Sequence, residues 1–212
     1  MRLDSQCILC LLKRHSETAA KYGDEEQVTA FTRELMHILC NGPVEMSAPF
    51  YTPGITKLFT EHFGLADDRF AEEKEVSNRY ALERFDRLTE LVRKAEDPLY
   101  AGLQAAILGN YIDFSALQGE VSFEKLDEML RLLHTIEVDR QAFEKLRADL
   151  EKGKELLYLT DNAGEIVFDR VWLEVIRDTF PGLAITVCVR GGPAQNDATR
   201  ADAEAVGMPF RV

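Results

Sequence analysis

Apolar residues recur every three or four positions through the first part of the chain, and charged residues fill the positions between them. This period is typical of amphipathic helices that bury one face. Glycine and proline interrupt it at Gly23, at Gly42-Pro43 and at Gly64, which marks the ends of the first helices. The pattern predicts helices over residues 4–22, 25–41, 54–65, 67–94 and 98–109, another that begins at Ser122, and a last one over 139–151.

The pattern changes near residue 153. The runs ELLYLT at 155–160 and LAITVCV at 183–189 are short, continuous and apolar, which is typical of strands buried in a parallel sheet. A helical segment follows each run, and MPFRV at 208–212 begins a third strand. This α/β order predicts a parallel sheet with right-handed crossovers. Because the third strand stops at Val212, we expect the chain to be a C-terminally truncated version of a longer domain.

The chain of 212 residues carries a formal net charge of -12. A nucleic-acid-binding protein needs a basic surface to displace counterions from phosphates, so this charge argues against that class. No apolar run approaches the ~20 residues that span a bilayer, and no secretory signal is evident. The 4 cysteines are too few for a disulfide scaffold, so we expect a cytoplasmic protein with neither a membrane nor a nucleic-acid partner.

Polar loops follow the first two predicted strands. Asp161 and Asn162 come directly after the first strand, and Asn196 and Asp197 end the loop after the second. Loops at the carboxyl ends of parallel strands converge at one edge of a sheet. Two carboxylates and an amide oxygen form the hard, all-oxygen set that suits Mg²⁺ or Mn²⁺. Aspartate and asparagine are equally favoured as helix N-caps, so the residues alone leave capping and metal binding open.

Other motifs define the function less. The chain has no G-x-G-x-x-G after its first strand and no G-x-x-x-x-G-K-[ST], which argues against nucleotide binding by such loops. Cys7 and Cys10 with Cys40 form an incomplete metal motif, so we favour helix packing over a zinc or iron site. The histidines lack the H-E-x-x-H spacing, and we assign them to packing or to the surface: His15, His37, His62 and His134.

The two loops also carry a family resemblance. LYLTDNAGEIVFDR at 157–170 and VCVRGGPAQNDAT at 187–199 resemble the paired signatures of the damage-control phosphatases, a family formerly described as a domain of unknown function. The C-I-L-C segment at 7–10 is similar to the cysteine-bearing prokaryotic branch of that family, and LGNYIDF at 108–114 agrees with it. The resemblance covers essentially the whole chain.

The resemblance implies an architecture and a reaction. The architecture is an all-helical domain over residues 1–152, followed by a Rossmann-like, three-layer αβα domain over 153–212. The reaction is hydrolysis of a phosphate monoester of a small metabolite, such as a sugar phosphate or a damaged phosphorylated metabolite. The cofactor is a divalent ion, Mg²⁺, Mn²⁺, Co²⁺ or Ni²⁺. Such an ion would also offset the repulsion between an acidic protein and a phosphorylated substrate.

The resemblance further assigns roles to residues. Asp161, Asn162 and Asp197 would hold the metal ion. The two aspartates would be the catalytic residues, and Asp161 would act either as a ligand only or as the nucleophile. Substrate contacts fall to a second group, which comprises Asn110, Asp113, Glu165 and Asn196, and the position of Arg190 in the second loop makes it a further candidate for substrate binding. Arg190 begins the second loop, where it either offsets phosphate charge or lies at the surface.

One departure from the family pattern keeps alternatives open. Relatives carry a later glycine-rich segment with a lysine that is expected to hold the phosphate, and nothing in this sequence matches it. If the protein ends at Val212, we expect weak turnover or none. The alternatives are a non-catalytic metal- or phosphate-binding fragment and a carboxyl methyltransferase that uses S-adenosylmethionine. The missing glycine-rich loop after the first strand argues against the methyltransferase.

Overall fold

The computed structural model describes residues 2–43, 45–66, 68–112, 127–128 and 130–212. The chain forms two compact units, Met1–Arg69 and Phe70–Val212. Each unit contains its own cluster of buried apolar residues. Within the ranges given above, no helix has the length and apolar character that a bilayer span requires.

The first unit is helical. It contains α1 (Ser5–Ala19), α2 (Glu25–Asn41), a 3-10 turn (Ala48–Tyr51) and α3 (Thr52–Phe63). Asp24 begins α2 with a capping box, in which its carboxylate accepts from the Gln27 amide at 2.9 Å. Phe31 and Phe59 pack at the centre of the unit, with ring centroids 4.6 Å apart. These elements confirm the three helices predicted before residue 66.

The second unit begins with α4 (Ala71–Leu82), α5 (Phe85–Arg93), α6 (Pro98–Gly109) and α7 (Arg140–Lys152). The sequence predicts one helix over residues 67–94, but the chain turns at Glu83-Arg84 and divides it into two. The Arg84 guanidinium donates to the Tyr80 carbonyl at 3.0 Å and pairs with Asp127 at 2.6 Å. These contacts stabilise a turn that hydrophobic periodicity does not reveal, because they depend on a residue far along the chain.

Strands and helices then alternate. They are β1 (Glu155–Leu159), α8 (Glu165–Thr179), β2 (Ala184–Cys188) and α9 (Arg200–Ala205). β1 and β2 pair in parallel, with Glu155 opposite Ala184 and Leu159 opposite Cys188. The parallel pairing and the crossover helix that the sequence predicts are therefore confirmed.

The predicted third strand is not formed as a strand. Thr186 of β2 makes a single parallel bridge with Arg211, in which the Val187 amide donates to the Arg211 carbonyl at 2.8 Å. Pro209 has no amide hydrogen to donate to a ladder, which limits pairing along this segment. The sheet of the described residues therefore has two strands, in the order β1-β2, rather than the predicted three.

Helix α8 lies at the centre of the second unit. Its fully buried residues include Ile166, Val167, Phe168, Val171, Leu173 and Ile176. A helix that is apolar on most faces must be covered by other elements, and α4, α5 and α6 pack against it. The Trp172 indole on α8 donates to the Leu99 carbonyl of α6 at 3.2 Å. These helices therefore belong to the same compact unit as the sheet, and the two compact units divide after Arg69.

The two faces of the sheet differ. Tyr158 and Val187 point toward the core, and Val187 is buried. On the opposite face, Leu157 and Leu159 are 63% and 69% exposed, and Cys188 beside them is also exposed. Strand side chains alternate between faces, so this second face, on which Thr186 is half-buried, is otherwise bare along both strands in the part of the chain that the structure describes.

Candidate functional site

The polar loops that follow β1 and β2 lie side by side. The Thr160 amide donates to the Cys188 carbonyl at 3.1 Å, which continues the strand pairing into the loops. Farther on, Asn162 and Asp197 form an antiparallel bridge. The Ala163 amide donates to the Asn196 carbonyl at 2.8 Å. The structure therefore brings together residues about thirty-five positions apart at the carboxyl edge of the sheet, as parallel pairing predicts.

Asn162 is the buried centre of the joined loops. Its amide oxygen accepts from the Asn196 side-chain amide at 2.8 Å, and its own amide nitrogen donates to Glu165 Oε2 at 2.9 Å. Asn162 and Asn196 are each 2% exposed. Because both ends of the Asn162 amide are engaged, its carbonyl oxygen has a fixed direction toward the second loop.

Glu165, in the first turn of α8, connects this centre to α6. The Asn110 side-chain amide donates to both Glu165 carboxylate oxygens, at 3.3 and 3.4 Å. Burial raises the pKa of Glu165, the hydrogen bonds from Asn162 and Asn110 oppose that change, and the charge of Asp161 adds to it. Asn110 is thus hydrogen-bonded to Glu165 beside the joined loops.

The remaining predicted residues lie toward solvent. Asp161 is exposed and Asp197 is half-buried. The Arg190 guanidinium Nε donates to Asp197 Oδ2, so a protein cation balances this carboxylate. The Arg190 amide also donates to the Ala198 carbonyl at 2.9 Å, which ties the two ends of the loop together. Arg190 is therefore part of the loop architecture as well as an exposed positive charge.

The donor set fits a divalent ion in kind. Among the described residues, no three His, Cys, Asp or Glu side chains are grouped closely enough to hold a metal. A site here would therefore depend on the Asn162 amide oxygen as well as on the carboxylates of Asp161 and Asp197. All of these donors are hard oxygens, which suits Mg²⁺ or Mn²⁺ and does not suit softer metals.

Protein groups accept hydrogen bonds from several backbone amides at the start of α8. The Gly164 amide donates to Asn78 Oδ1 at 2.7 Å, and the Ile166 amide donates to the Asn162 carbonyl at 3.1 Å. The Asn162 amide faces Glu165 Oε2 at 3.4 Å. These protein contacts use amide groups that a helix N-terminus would otherwise offer to a phosphate.

Several predicted features lie elsewhere. Asp113 and the start of the helix predicted at Ser122 lie outside the described residues. Cys7 is half-buried, and Cys10 and Cys40 are exposed. All three are free thiols, and they are not part of any metal-binding group in the described ranges.

Two buried carboxylates near the site were not identified from the sequence. Asp169, one turn after Glu165 on α8, accepts from the Tyr158 hydroxyl at 2.6 Å and is 2% exposed. Its four-residue spacing from Glu165 was the available signal, since residues at i and i+4 share a helix face. Asp202, at the start of α9, contacts Asn78 and Lys74 of α4. No sequence pattern indicated that contact, because α4 is more than a hundred residues earlier.

Comparisons with known proteins give consistent results. A family model described as the damage-control phosphatase ARMT1-like domain matches residues 3–208. A protein of Methanocaldococcus jannaschii described as uncharacterized protein MJ0202 is 29% identical over 209 residues, which covers 96% of this chain and 67% of that protein. A damage-control phosphatase of Archaeoglobus fulgidus is 30% identical over 212 residues, which covers 96% of this chain and 69% of the relative.

A third relative has a solved structure. Damage-control phosphatase PH1575 of Pyrococcus horikoshii is 32% identical over 143 residues, which covers 67% of this chain and 47% of the relative. The crystal structure of this DUF89 family protein superimposes with a TM-score of 0.79 at 24% identity, covering 100% of this chain and 73% of that one. At this identity the superposition establishes the fold. The matched region spans about two thirds of the first two relatives and about half of the third.

Proposed function

Because the chain belongs to the damage-control phosphatase ARMT1-like family, we propose that it hydrolyses phosphate monoesters of small metabolites with a divalent ion. Sugar phosphates and damaged phosphorylated metabolites are the proposed substrates. The observation that carries the proposal is the bridge between Asn162 and Asp197, which brings candidate ligands from two strands to one edge of the sheet. The names of two relatives support the phosphatase reaction.

Asp161, Asn162 and Asp197 would hold the ion, which we propose to be Mg²⁺ or Mn²⁺, with Co²⁺ or Ni²⁺ as substitutes. Bound there, the ion would neutralise phosphate charge and polarise the phosphorus–oxygen bond. Burial raises the pKa of both Glu165 and Asp169, and the negative charge of Asp161 adds to the shift of each. A cation would relieve the repulsion among these carboxylates.

In the proposed reaction, water attacks phosphorus, the ester oxygen–phosphorus bond breaks, and the products are an alcohol and inorganic phosphate. Asp161 is exposed in the loop after β1, where it would act either as a ligand only or as the nucleophile. Arg190 is exposed beside Asp197 and would balance the charge of the substrate. Its guanidinium provides the fork of donors that matches phosphate geometry.

The substrate contacts complete the proposal. Glu165 and Asn110 form a polar link between α8 and α6, and we place them against the substrate on that side. Asn196 would act from the second loop, where its side chain fixes the Asn162 amide. Asp113 stays a proposal that rests on the family resemblance.

Two broader features belong to the same proposal. We infer a Rossmann-like, three-layer arrangement for the family domain, supported by the crossover helix on one sheet face and the bare apolar face opposite, which carries Leu157 and Leu159. We also place the protein in the cytoplasm, an assignment supported by free thiols at Cys7, Cys10, Cys40 and Cys188.

The experiment combines binding and turnover. Calorimetric titration with Mn²⁺ measures the ion, and a panel of sugar phosphates with Mg²⁺, Mn²⁺, Co²⁺ or Ni²⁺ measures hydrolysis. We expect Asp161→Ala and Asp197→Ala to remove Mn²⁺ binding and any turnover. Asp178→Ala is the matched control, because it deletes one exposed carboxylate of α8 that pairs with Arg93 and Arg177. It should leave both measurements unchanged.

The outcomes separate the alternatives. Activity that survives both site substitutions would reject the assigned residues. Mn²⁺ binding without turnover across the panel would favour the non-catalytic metal-binding module. That alternative has one observation in its favour, namely that protein groups already occupy the Gly164 and Ile166 amides at the start of α8.

A further inference from the structure

Helix α4 buries polar residues on the face that contacts Gly164, in the polar loop after β1, and Asp202 of α9. Lys74, Ser77 and Asn78 are all buried, at spacings that place them on one side of the helix. The other charged residues of α4, such as Glu72 and Glu75, are exposed. Burying an ammonium group and an amide is costly unless both are hydrogen-bonded, so their partners need to be identified.

Asn78 contacts both the first polar loop and helix α9, which follows the second loop. Its side-chain oxygen accepts from the Gly164 amide at 2.7 Å, and its side-chain nitrogen donates to Asp202 Oδ1 at 2.9 Å. Gly164 precedes α8 with a φ of 84°, a conformation that favours glycine. One side chain therefore links the D-N-A-G-E loop to the segment that follows N-D-A-T.

Asp202 also pairs with Lys74 and accepts hydrogen bonds from Thr199. The Lys74 ammonium lies 3.0 Å from Asp202 Oδ2. The same oxygen accepts from the Thr199 amide at 2.9 Å and from the Thr199 hydroxyl at 2.7 Å, which caps α9. Although burial raises the pKa of Asp202, the bonds from Thr199 and Lys74 outweigh it and hold that pKa below its usual value. Asp202 is thus a charged anchor, fixed by α4.

We propose that Asn78 is a positioning residue for the metal site, and that Lys74 and Asp202 hold it in place. Through Gly164 it fixes the loop that carries Asp161 and Asn162, and through Asp202 it fixes the end of the loop that carries Asp197. The chemical meaning of this role rests on the proposed function. The coupling between the two loops stands on the hydrogen bonds themselves.

A merely structural role would lower stability without changing the loops of the folded protein. Val92→Ala provides that comparison, because Val92 is fully buried on α5 in the same apolar cluster and has no part in the loops. Removing its two methyl groups lowers the melting temperature through a core cavity. Asn78→Ala and Val92→Ala are then compared at a temperature where both are folded.

The first readout is hydrogen exchange of the metal-free chain, and the second is the Kd for Mn²⁺. We expect Asn78→Ala to speed exchange of the Gly164 amide and of residues 196–199, and to weaken Mn²⁺ binding about tenfold, because the loops that carry the proposed ligands lose their common support. Val92→Ala should change neither. If Asn78→Ala does not fold, Asn78→Asp keeps the acceptor for Gly164 and loses the donor to Asp202, so exchange should rise over 196–199 alone.

The two failures are distinguishable. Equal exchange at Gly164 and at 196–199 in Asn78→Ala and Val92→Ala would overturn the positioning role, even if the unmodified chain binds Mn²⁺. A chain that binds no Mn²⁺ would reject the proposed metal site, while the exchange comparison would still decide whether Asn78 couples the loops.

Discussion

Arg190 competes for Asp197 with any ion that this carboxylate would bind. Its guanidinium donates to Asp197 Oδ2, and a divalent ion that approaches the same carboxylate must share or replace that bond. An arginine released from Asp197 would then lie beside an incoming phosphate. The same side chain is therefore expected to act against the ion and in favour of the substrate.

We expect Arg190→Gln to tighten Mn²⁺ binding severalfold and to raise the KM for a phosphate ester by about tenfold, since it removes a competing cation and a phosphate contact. Calorimetry and steady-state kinetics measure the two effects. Arg177→Gln is the charge-matched control, because Arg177 lies exposed in the last turn of α8 and pairs with Asp178. The diagnostic result is a lower Kd for Mn²⁺ together with a higher KM. A Kd and a KM that change in the same direction would contradict the two opposing roles of Arg190.

Asp169 makes stability depend on pH. Burial, assisted by the charges of Glu165 and Asp161, raises its pKa from 3.8 to about 8, against the effect of the Tyr158 hydrogen bond. The folded chain therefore holds this proton over a range where the unfolded chain has lost it. The stabilising contribution is complete below pH 4 and is lost as pH rises toward 8.

We expect Asp169→Asn to flatten that dependence, because the amide does not titrate. Urea denaturation from pH 5 to pH 8.5 measures the free energy of unfolding, and the variant should gain on the parent chain by on the order of 4 kcal/mol across that range. Asp178→Asn serves as the control. Arg93 lowers the pKa of Asp178, so its contribution changes only at more acidic pH. Parallel curves for Asp169→Asn and the parent would contradict the argument.

Helices α6 and α8 approach each other closely. A Cβ atom at Gly102 would lie 2.5 Å from Trp172 Cδ1, and one at Gly109 would lie 2.9 Å from Phe168 Cβ. Two glycines on one helix thus allow α6 to lie against bulky residues of α8. Close packing of this kind transmits a displacement, since interiors have little room to absorb one.

We expect Gly102→Ala to destabilise the second unit by about 1–3 kcal/mol through overpacking, measured as a shift in the urea midpoint. Gly54→Ala is the matched control on α3, because its Cβ would meet no atom closer than Ile38 Cδ1 at 3.7 Å. There the substitution should be neutral or stabilising, as alanine is the better helix former. Loss of stability in both variants would indicate that backbone conformation, not packing, is responsible.

Hydrophobic spacing predicted most elements but not the polar face of α4. Val76 and Tyr80 follow the apolar spacing of the helix predicted over 67–94, and Tyr80 is buried. Lys74 and Asn78 are also buried, because Asp202 and Gly164 supply their partners from far along the chain. A single sequence contains no signal for such a pairing. The proximity of the two polar loops was predictable for the opposite reason: their positions follow directly from the strands that precede them.

Sequence-based prediction of the compact units is limited for the same reason, because the contacts involved join residues far apart in the chain. The change from helical to alternating pattern near residue 153 is real, since β1 begins at Glu155. It does not mark a boundary between compact units, because α8 requires cover from α4, α5 and α6. Local pattern thus identified the strand, and tertiary packing determined the unit.

The bare face of the sheet and the charge of the chain oppose each other in concentrated solution. A net charge of -12 makes copies of the chain repel one another at low ionic strength. Salt screens that repulsion within ~8 Å at 0.15 M, and leaves the attraction between apolar faces that carry Leu157 and Leu159. We expect the second osmotic virial coefficient, measured by static light scattering, to fall from positive to negative as salt is added.

The double variant Leu157→Lys with Leu159→Lys tests which surface is responsible. It replaces the exposed leucines of β1 with cations and so removes the apolar attraction while also reducing the net charge. If the bare face causes the association, the virial coefficient of the variant stays positive at high salt. The salt dependence of the virial coefficient would then report on the exposed face of β1 and β2.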